Sequence, residues 1–129
     1  MRLDWLTLAG FRSYAQLEWE PEPGVNVIVG RNGAGKTNLL EAVGYLGSLK
    51  SFRGAPDHAL VGFDAEHAYI RGQVTSGPAE ALIELELKRR GGRNARVNTQ
   101  RLARATDLLG HVRFVTFLPE DLDIVKRGP

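Results

Sequence analysis

The chain has 129 residues, a formal net charge of +2, 43% hydrophobic residues, 25% charged residues and no cysteine. Its length and composition fit one globular domain over residues 1–129. Without cysteine, a disulfide framework and a thiolate metal site are excluded. No apolar run approaches the roughly 20 residues of a membrane helix, and no signal-peptide pattern opens the chain. We therefore expect a cytoplasmic protein without a membrane partner.

Strand patterns open the chain. Residues 3–8 and 14–19 alternate as two strands joined around Arg12, and proline and glycine residues break the pattern after them. Residues 25–29 are apolar at nearly every position, as expected of a central strand that is buried on both faces.

A phosphate-binding loop of the form GxxxxGK(S/T) follows that strand, as Gly30-Arg31-Asn32-Gly33-Ala34-Gly35-Lys36-Thr37. Its glycines let consecutive backbone N–H groups face an anion, and the next helix adds its unpaired N–H groups and its dipole. The Lys36 ammonium reaches the β- and γ-phosphates, and the Thr37 hydroxyl completes a Mg²⁺ shell. The loop predicts binding of a nucleoside triphosphate with Mg²⁺.

The segments after the loop alternate between helix and strand patterns. Leu39, Leu40, Val43 and Leu46 recur at helical spacing and predict about four turns, beginning near Lys36, that pack on a sheet. Residues 50–62 read as irregular, and 67–74 and 81–87 as strands, with Ile83, Leu85 and Leu87 on one face and Glu84 and Glu86 on the other. The final patterns are a short helix at 106–109, a strand at 112–118 and a helix start at 120–126.

Basic residues concentrate between positions 88 and 106, where no acidic residue occurs. They are Lys88, Arg89, Arg90, Arg93, Arg96, Arg101 and Arg104. Gly91-Gly92 predicts a hairpin turn, across which residues 96–98 pair back. An arginine-rich hairpin can neutralise a phosphate backbone, and a solvated surface hairpin explains the charge equally well.

The order of elements favours an ABC-type ATPase head over kinases and GTPases, because two antiparallel strands precede the phosphate loop. The motifs resemble the RecF family, relatives of SMC heads, through most of the chain. They are Phe11-Arg12-Ser13-Tyr14, the phosphate loop with Asn38-Leu39-Leu40-Glu41-Ala42, Lys50-Ser51-Phe52-Arg53, Val97-Asn98 and Phe117-Leu118-Pro119-Glu120-Asp121-Leu122.

The resemblance implies an α/β fold of parallel core strands with an antiparallel β lobe. It also implies an ATP-dependent homodimer that binds DNA near single-strand/double-strand junctions, acts with RecO and RecR, and supports recombinational repair and the SOS response to DNA damage. The family continues past the last residue of this chain, through a signature motif and a Walker B strand. We therefore expect an N-terminal fragment, in which ATP binding is retained and hydrolysis is incomplete.

Several further residues are candidates for specific roles. By analogy with the family, Arg12 is expected to approach the nucleotide from the edge of the lobe; the alternative is an arginine paired with a carboxylate on the surface. Asn32 tightens the loop, contacts the γ-phosphate side in a dimer, or serves only as a turn residue. Arg53 is a candidate contact to DNA or to the partner subunit of a dimer, and Arg89, Arg90 and Arg93 are candidate DNA contacts. A salt bridge is expected of Glu41.

Glu120 follows an apolar strand pattern that superficially resembles Walker B. Pro119 interrupts the junction where a metal-binding aspartate would follow directly. In a RecF-like chain this segment lies near the Q-loop, which touches Mg²⁺. Two alternatives to a repair ATPase stay open: a nucleotide-binding module without turnover, and a minimal phosphotransferase that uses Glu120 or Asp121.

Overall fold

The computed structural model describes residues 2–20 and 34–108. Within these ranges, six strands form one sheet in the order β2-β1-β3-β4-β5-β6, and every adjacent pair is antiparallel. The strands are β1 (Arg2–Phe11), β2 (Tyr14–Trp19), β3 (His67–Ser76), β4 (Ala79–Lys88), β5 (Arg93–Val97) and β6 (Gln100–Arg101). The strand predictions at 3–8, 14–19, 67–74 and 81–87 are confirmed, whereas those at 25–29 and 112–118 and the helix start at 120–126 lie outside the described residues.

One long helix, α1 (Ala34–Ser48), packs on the sheet, as its apolar spacing predicts. A short helix, α2 (Asp57–Leu60), lies within the segment that the sequence predicted to be irregular, so that prediction was wrong there. Four residues are too few to show helical periodicity, and burial of Leu60 holds this turn in place. A 3₁₀ turn (Ala105–Asp107) stands where the sequence predicted a short helix.

Alternation along the strands separates a buried face of the sheet from an exposed one. Ile83, Leu85 and Leu87 of β4 are buried, and the intervening Glu84 and Glu86 lie on the opposite face, as predicted. The same register places apolar residues of the other strands beside them, which gives one continuous core under α1. Burial of this core is the main source of stability for the sheet.

Close contact between α1 and the sheet is made at Gly72 of β3. A Cβ atom built on Gly72 would lie 2.8 Å from Cδ2 of Leu46, a buried residue of α1. The missing side chain therefore makes room for the helix on the middle of the sheet.

Tight turns connect the strands at the predicted places. Gly91 and Gly92 both have positive φ between β4 and β5, where the sequence predicted a hairpin. Gly10, near the end of β1, also has positive φ (63°), and a Cβ atom there would lie 2.5 Å from the backbone oxygen of His67.

Replacement of Gly10 with alanine should destabilise the protein by about 2–4 kcal/mol, because the methyl group adds a backbone clash to the left-handed strain. Gly77→Ala is the matched control, since Gly77 has a φ of 60° and nothing within 4 Å of the added Cβ. It should cost only about 1 kcal/mol. Urea unfolding of the two variants measures the difference, and equal losses would contradict the steric argument.

Candidate functional site

The phosphate-loop sequence runs into the start of α1. Ala34, Gly35, Lys36 and Thr37 form the first turn of this helix, while Gly30, Arg31, Asn32 and Gly33 lie outside the described residues. The first N–H groups of a helix lack intrahelical partners and favour an anion. The helix that the motif requires is therefore present, and contacts of these eight residues with a nucleotide stay predictions.

Glu41 is a fully buried carboxylate on the second turn of α1. It accepts hydrogen bonds from Arg12 Nε at 2.9 Å and Arg12 Nη2 at 3.0 Å, which form a two-pronged ion pair. Arg53 Nη2 donates to Glu41 Oε1 at 2.8 Å, and the Ser51 hydroxyl donates to Oε2. The salt bridge that the sequence predicted for Glu41 is confirmed, and it involves two arginines.

The electrostatics of this cluster favour an ionised carboxylate. Burial alone would raise the pKa of Glu41, but the hydrogen bonds from Arg12, Ser51 and Arg53, with the charge of Arg53, hold the pKa below its ordinary value. One carboxylate thus faces two guanidinium groups, and the cluster keeps one excess positive charge. We name Arg12, Glu41, Ser51 and Arg53, with the adjoining Asn38, the Glu41 cluster.

Arg12 occupies the two-residue turn between β1 and β2. Its φ of 51° is a left-handed conformation that costs a non-glycine residue about 1–2 kcal/mol. Its backbone N–H donates to Leu60 O at 2.8 Å, and its side chain reaches Glu41. The side chain is 24% exposed, and its role toward a nucleotide stays a prediction.

Arg53 follows α1 and lies beside the same helix. Its Nη2 donates to Asn38 Oδ1 at 2.6 Å as well as to Glu41, and Asn38 Nδ2 donates to Ser13 Oγ at 3.1 Å. The cluster therefore joins the β1–β2 turn, the helix and the segment after it. Contact of Arg53 with DNA stays a prediction.

The arginines between positions 89 and 101 fall into two groups, and the first group binds within the protein. Arg89 donates to the carbonyl oxygens of Gly62, Phe63 and Ala65. Arg93 Nη1 donates to Tyr45 Oη at 3.1 Å and to Leu49 O at 2.9 Å. Both are predicted to contact DNA, and in the structure their guanidinium groups hold loops and the end of α1, with both residues half-buried.

The second group lies toward solvent. Arg90 is exposed in the β4–β5 turn, and Arg96 and Arg101 are exposed on neighbouring strands. Register places Arg71, Glu84, Arg96 and Arg101 side by side across β3, β4, β5 and β6. These four residues, called the arginine row, border a cavity of about 300 Å³ on the exposed face of the sheet.

Several sequence predictions concern residues outside these ranges. Glu120 and Asp121 are not among the described residues. Within residues 2–20 and 34–108, no group of three or more histidine and carboxylate side chains could hold a metal ion. In the same part of the chain, no helix is both long and apolar enough to cross a membrane.

A family model described as the RecF/RecN/SMC N terminal domain matches residues 2–117. The chain therefore belongs to that family, and its fold is that of an ABC-type ATPase head whose described residues form the antiparallel lobe. Within the family the resemblance to RecF is confirmed. The DNA replication and repair protein RecF of Renibacterium salmoninarum is 47% identical over 129 residues, and that of Streptomyces avermitilis is 49% identical.

The chain is wholly covered by these matches and covers 32% and 35% of the two relatives, so it spans about a third of their length. A solved structure of the recombination mediator protein RecF with ATP is 40% identical, with a TM-score of 0.83. That match covers 99% of this chain and 36% of the other. The SMC head domain from Thermotoga maritima is 26% identical, with a TM-score of 0.69, over 86% of this chain and 42% of its own.

Arg93→Ala should lower the free energy of unfolding by about 1–3 kcal/mol, because it removes the donor to Leu49 O and the bond to the buried Tyr45 hydroxyl. Arg96→Ala removes the same charge from the exposed face and should change stability by less than about 0.5 kcal/mol. Urea unfolding at constant m-value compares them. Equal stability of the two variants would show that Arg93 is not a structural anchor.

Proposed function

We propose that this chain is the ATP-binding N-terminal part of a RecF-type DNA replication and repair protein. The observation that carries the proposal is the complete phosphate-loop sequence leading directly into α1, in a chain of the RecF/RecN/SMC family. The similarity to a RecF structure described with ATP supports ATP as the triphosphate. Arg12 is placed by the Glu41 cluster beside the first turns of this helix, which supports its proposed approach to the nucleotide.

The residues of the loop suit a magnesium-bound triphosphate. Lys36 would hold the β- and γ-phosphates, and the Thr37 hydroxyl is an oxygen donor of the kind that Mg²⁺ prefers. When bound, the ion would neutralise charge on the phosphates. Glu120 is proposed as a further residue near Mg²⁺. Turnover is proposed only for the intact protein, as an ATP-dependent homodimer.

DNA is the proposed macromolecular partner. Support comes from exposed cations, since Arg96 and Arg101 lie on the exposed face of the sheet and Arg90 lies in the β4–β5 turn. The carboxylates that border the cavity on this face are Glu84 and Glu86. Arg53, Arg89 and Arg93 stay proposed contacts, but their present hydrogen bonds leave Arg90 the better candidate of the hairpin. By the RecF resemblance, we extend the proposal to junction DNA, to RecO and RecR as partners in the cytoplasm, and to the SOS response.

Lys36→Ala should reduce ATP affinity by at least about 10-fold, because it removes the ammonium group of the loop. Calorimetric titration with Mg·ATP measures it, with Lys88→Ala as a control that removes a lysine from β4. Unchanged affinity of Lys36→Ala would contradict the assignment of the loop. A hydrolysis assay on the same samples, with and without gapped DNA, separates binding alone from ATPase or phosphotransferase activity.

Joint replacement of Arg90, Arg96 and Arg101 with alanine should weaken DNA binding and reduce the slope of log K against log salt by about 2–3, if each arginine neutralises one phosphate. Lys50→Ala is the control, since it removes an exposed positive charge outside the basic stretch. Binding is followed by anisotropy of labelled gapped DNA over a range of salt concentrations. A slope equal to that of the unaltered protein would assign these arginines to an ordinary solvated surface.

A further inference from the structure

The Glu41 cluster contains two arginines and one carboxylate, so its positive charge exceeds its negative charge. The carboxylate accepts four hydrogen bonds, two from Arg12 and one each from Ser51 and Arg53. Four is about the number that a carboxylate can accept, so Glu41 is saturated. Among the described residues, one negative charge faces two guanidinium groups, so the second positive charge is left for an anion.

The cluster lies along the second turn of α1, at Asn38 and Glu41. Glu41 is seven residues after Ala34, which corresponds to about 10 Å along the helix axis. Arg53 also binds Asn38, which lies one turn closer to the start of the helix. The two guanidinium groups therefore sit beside the first two turns of the helix that continues the phosphate loop.

Within residues 2–20 and 34–108, neither arginine uses all of its N–H donors. A guanidinium group has five N–H donors. Arg12 uses Nε and Nη2 on Glu41, and Arg53 uses Nη2 on Glu41 and Asn38. Their side chains are 24% and 32% exposed, so further donors can reach a ligand. Long arginine side chains lose rotamer freedom when they bind, and a partner that fixes them beforehand removes that cost.

We propose that Glu41 is a positioning residue: it fixes Arg12 and Arg53 as a paired cationic site beside the first turns of α1, ready for the polyphosphate of the nucleotide. This inference rests on the proposed ATP binding and assigns a task to a residue that does not itself touch the ligand. Ser51 and Asn38 support the pair by orienting the carboxylate and the Arg53 guanidinium.

Glu41→Gln in the full-length protein tests the proposal. The substitution keeps the size of the side chain and removes its charge, so the arginines lose their common anchor. ATP affinity, measured with a fluorescent nucleotide on folded protein, should fall by about 10- to 100-fold. Glu18→Gln, on the exposed side of β2, is the matched control and should leave the affinity unchanged.

A double-mutant cycle separates positioning from a merely structural role. If Glu41 acts through the arginines, Glu41→Gln should cause no further loss of ATP affinity in an Arg12→Ala/Arg53→Ala background. A further loss of similar size in that background would overturn the proposal. Unchanged ATP affinity of Glu41→Gln would also overturn it. If Glu41→Gln weakened DNA binding in the absence of nucleotide and left ATP affinity intact, the arginine pair would bind a DNA phosphate instead, which again overturns the proposal.

Failure of the proposed function itself looks different. In that case the unaltered protein does not bind ATP, whereas failure of the positioning role leaves its ATP binding and the effect of Lys36→Ala in place. If Glu41→Gln does not fold, Ser51→Ala tests the positioning role instead, because it removes one hydrogen bond to Glu41 and no charge. A loss of about 2- to 5-fold in ATP affinity supports positioning, and no loss overturns it.

Discussion

Burial of the Glu41 carboxylate is the constraint around which the described structure is arranged. An ionised carboxylate in a protein interior costs several kcal/mol unless it is paired and hydrogen-bonded. Here the pairing comes from two arginines that belong to separate segments, the β1–β2 turn and the segment after α1. Because both must reach the same helix, the turn, the helix and the later segment are held in one arrangement. The electrostatic requirement of one residue thereby organises three parts of the chain.

A second polar attachment holds the other end of the same helix. Tyr45 donates to Asp57 Oδ1 at 2.9 Å and accepts from Arg93, which also binds the Leu49 carbonyl. Burial raises the pKa of Tyr45, so its hydroxyl stays protonated and available as a donor. Helix α1 is thus attached through Glu41 at its middle and through Tyr45 near its end, and its apolar face packs on the sheet. The placement of α1 therefore depends on residues from both ends of the described sheet and from the segments that follow the helix.

Much of the fold could be predicted because the local spacing of apolar residues indicates which face of an element is buried. The alternation in β4 and the helical spacing of Leu39 and Val43 gave the correct elements, since each is set by one apolar face. Helix α2 was not predicted because its four residues are too few to show the helical spacing of apolar residues. A salt bridge of Glu41 could be expected from the sequence. That both Arg12 and Arg53 are its partners could not. The identity of the partners depends on which distant segments fold against α1, and the spacing of apolar residues within one segment does not give that information.

The basic stretch shows why charge along a sequence overstates charge on a surface. Arg89 and Arg93 look equivalent to Arg90 and Arg96 in the sequence, yet the first two meet carbonyl oxygens and a buried hydroxyl. A guanidinium group satisfies several loop carbonyls at once, so arginine serves as well inside a turn as on a phosphate backbone. Arg89 and Arg93 keep their charge in these contacts, but N–H donors of both are occupied, so the exposed arginines are better placed to bind a phosphate directly. The solvent-exposed positive charge of the stretch is therefore narrower than the sequence indicates, and it lies at Arg90, Arg96, Arg101 and Arg104.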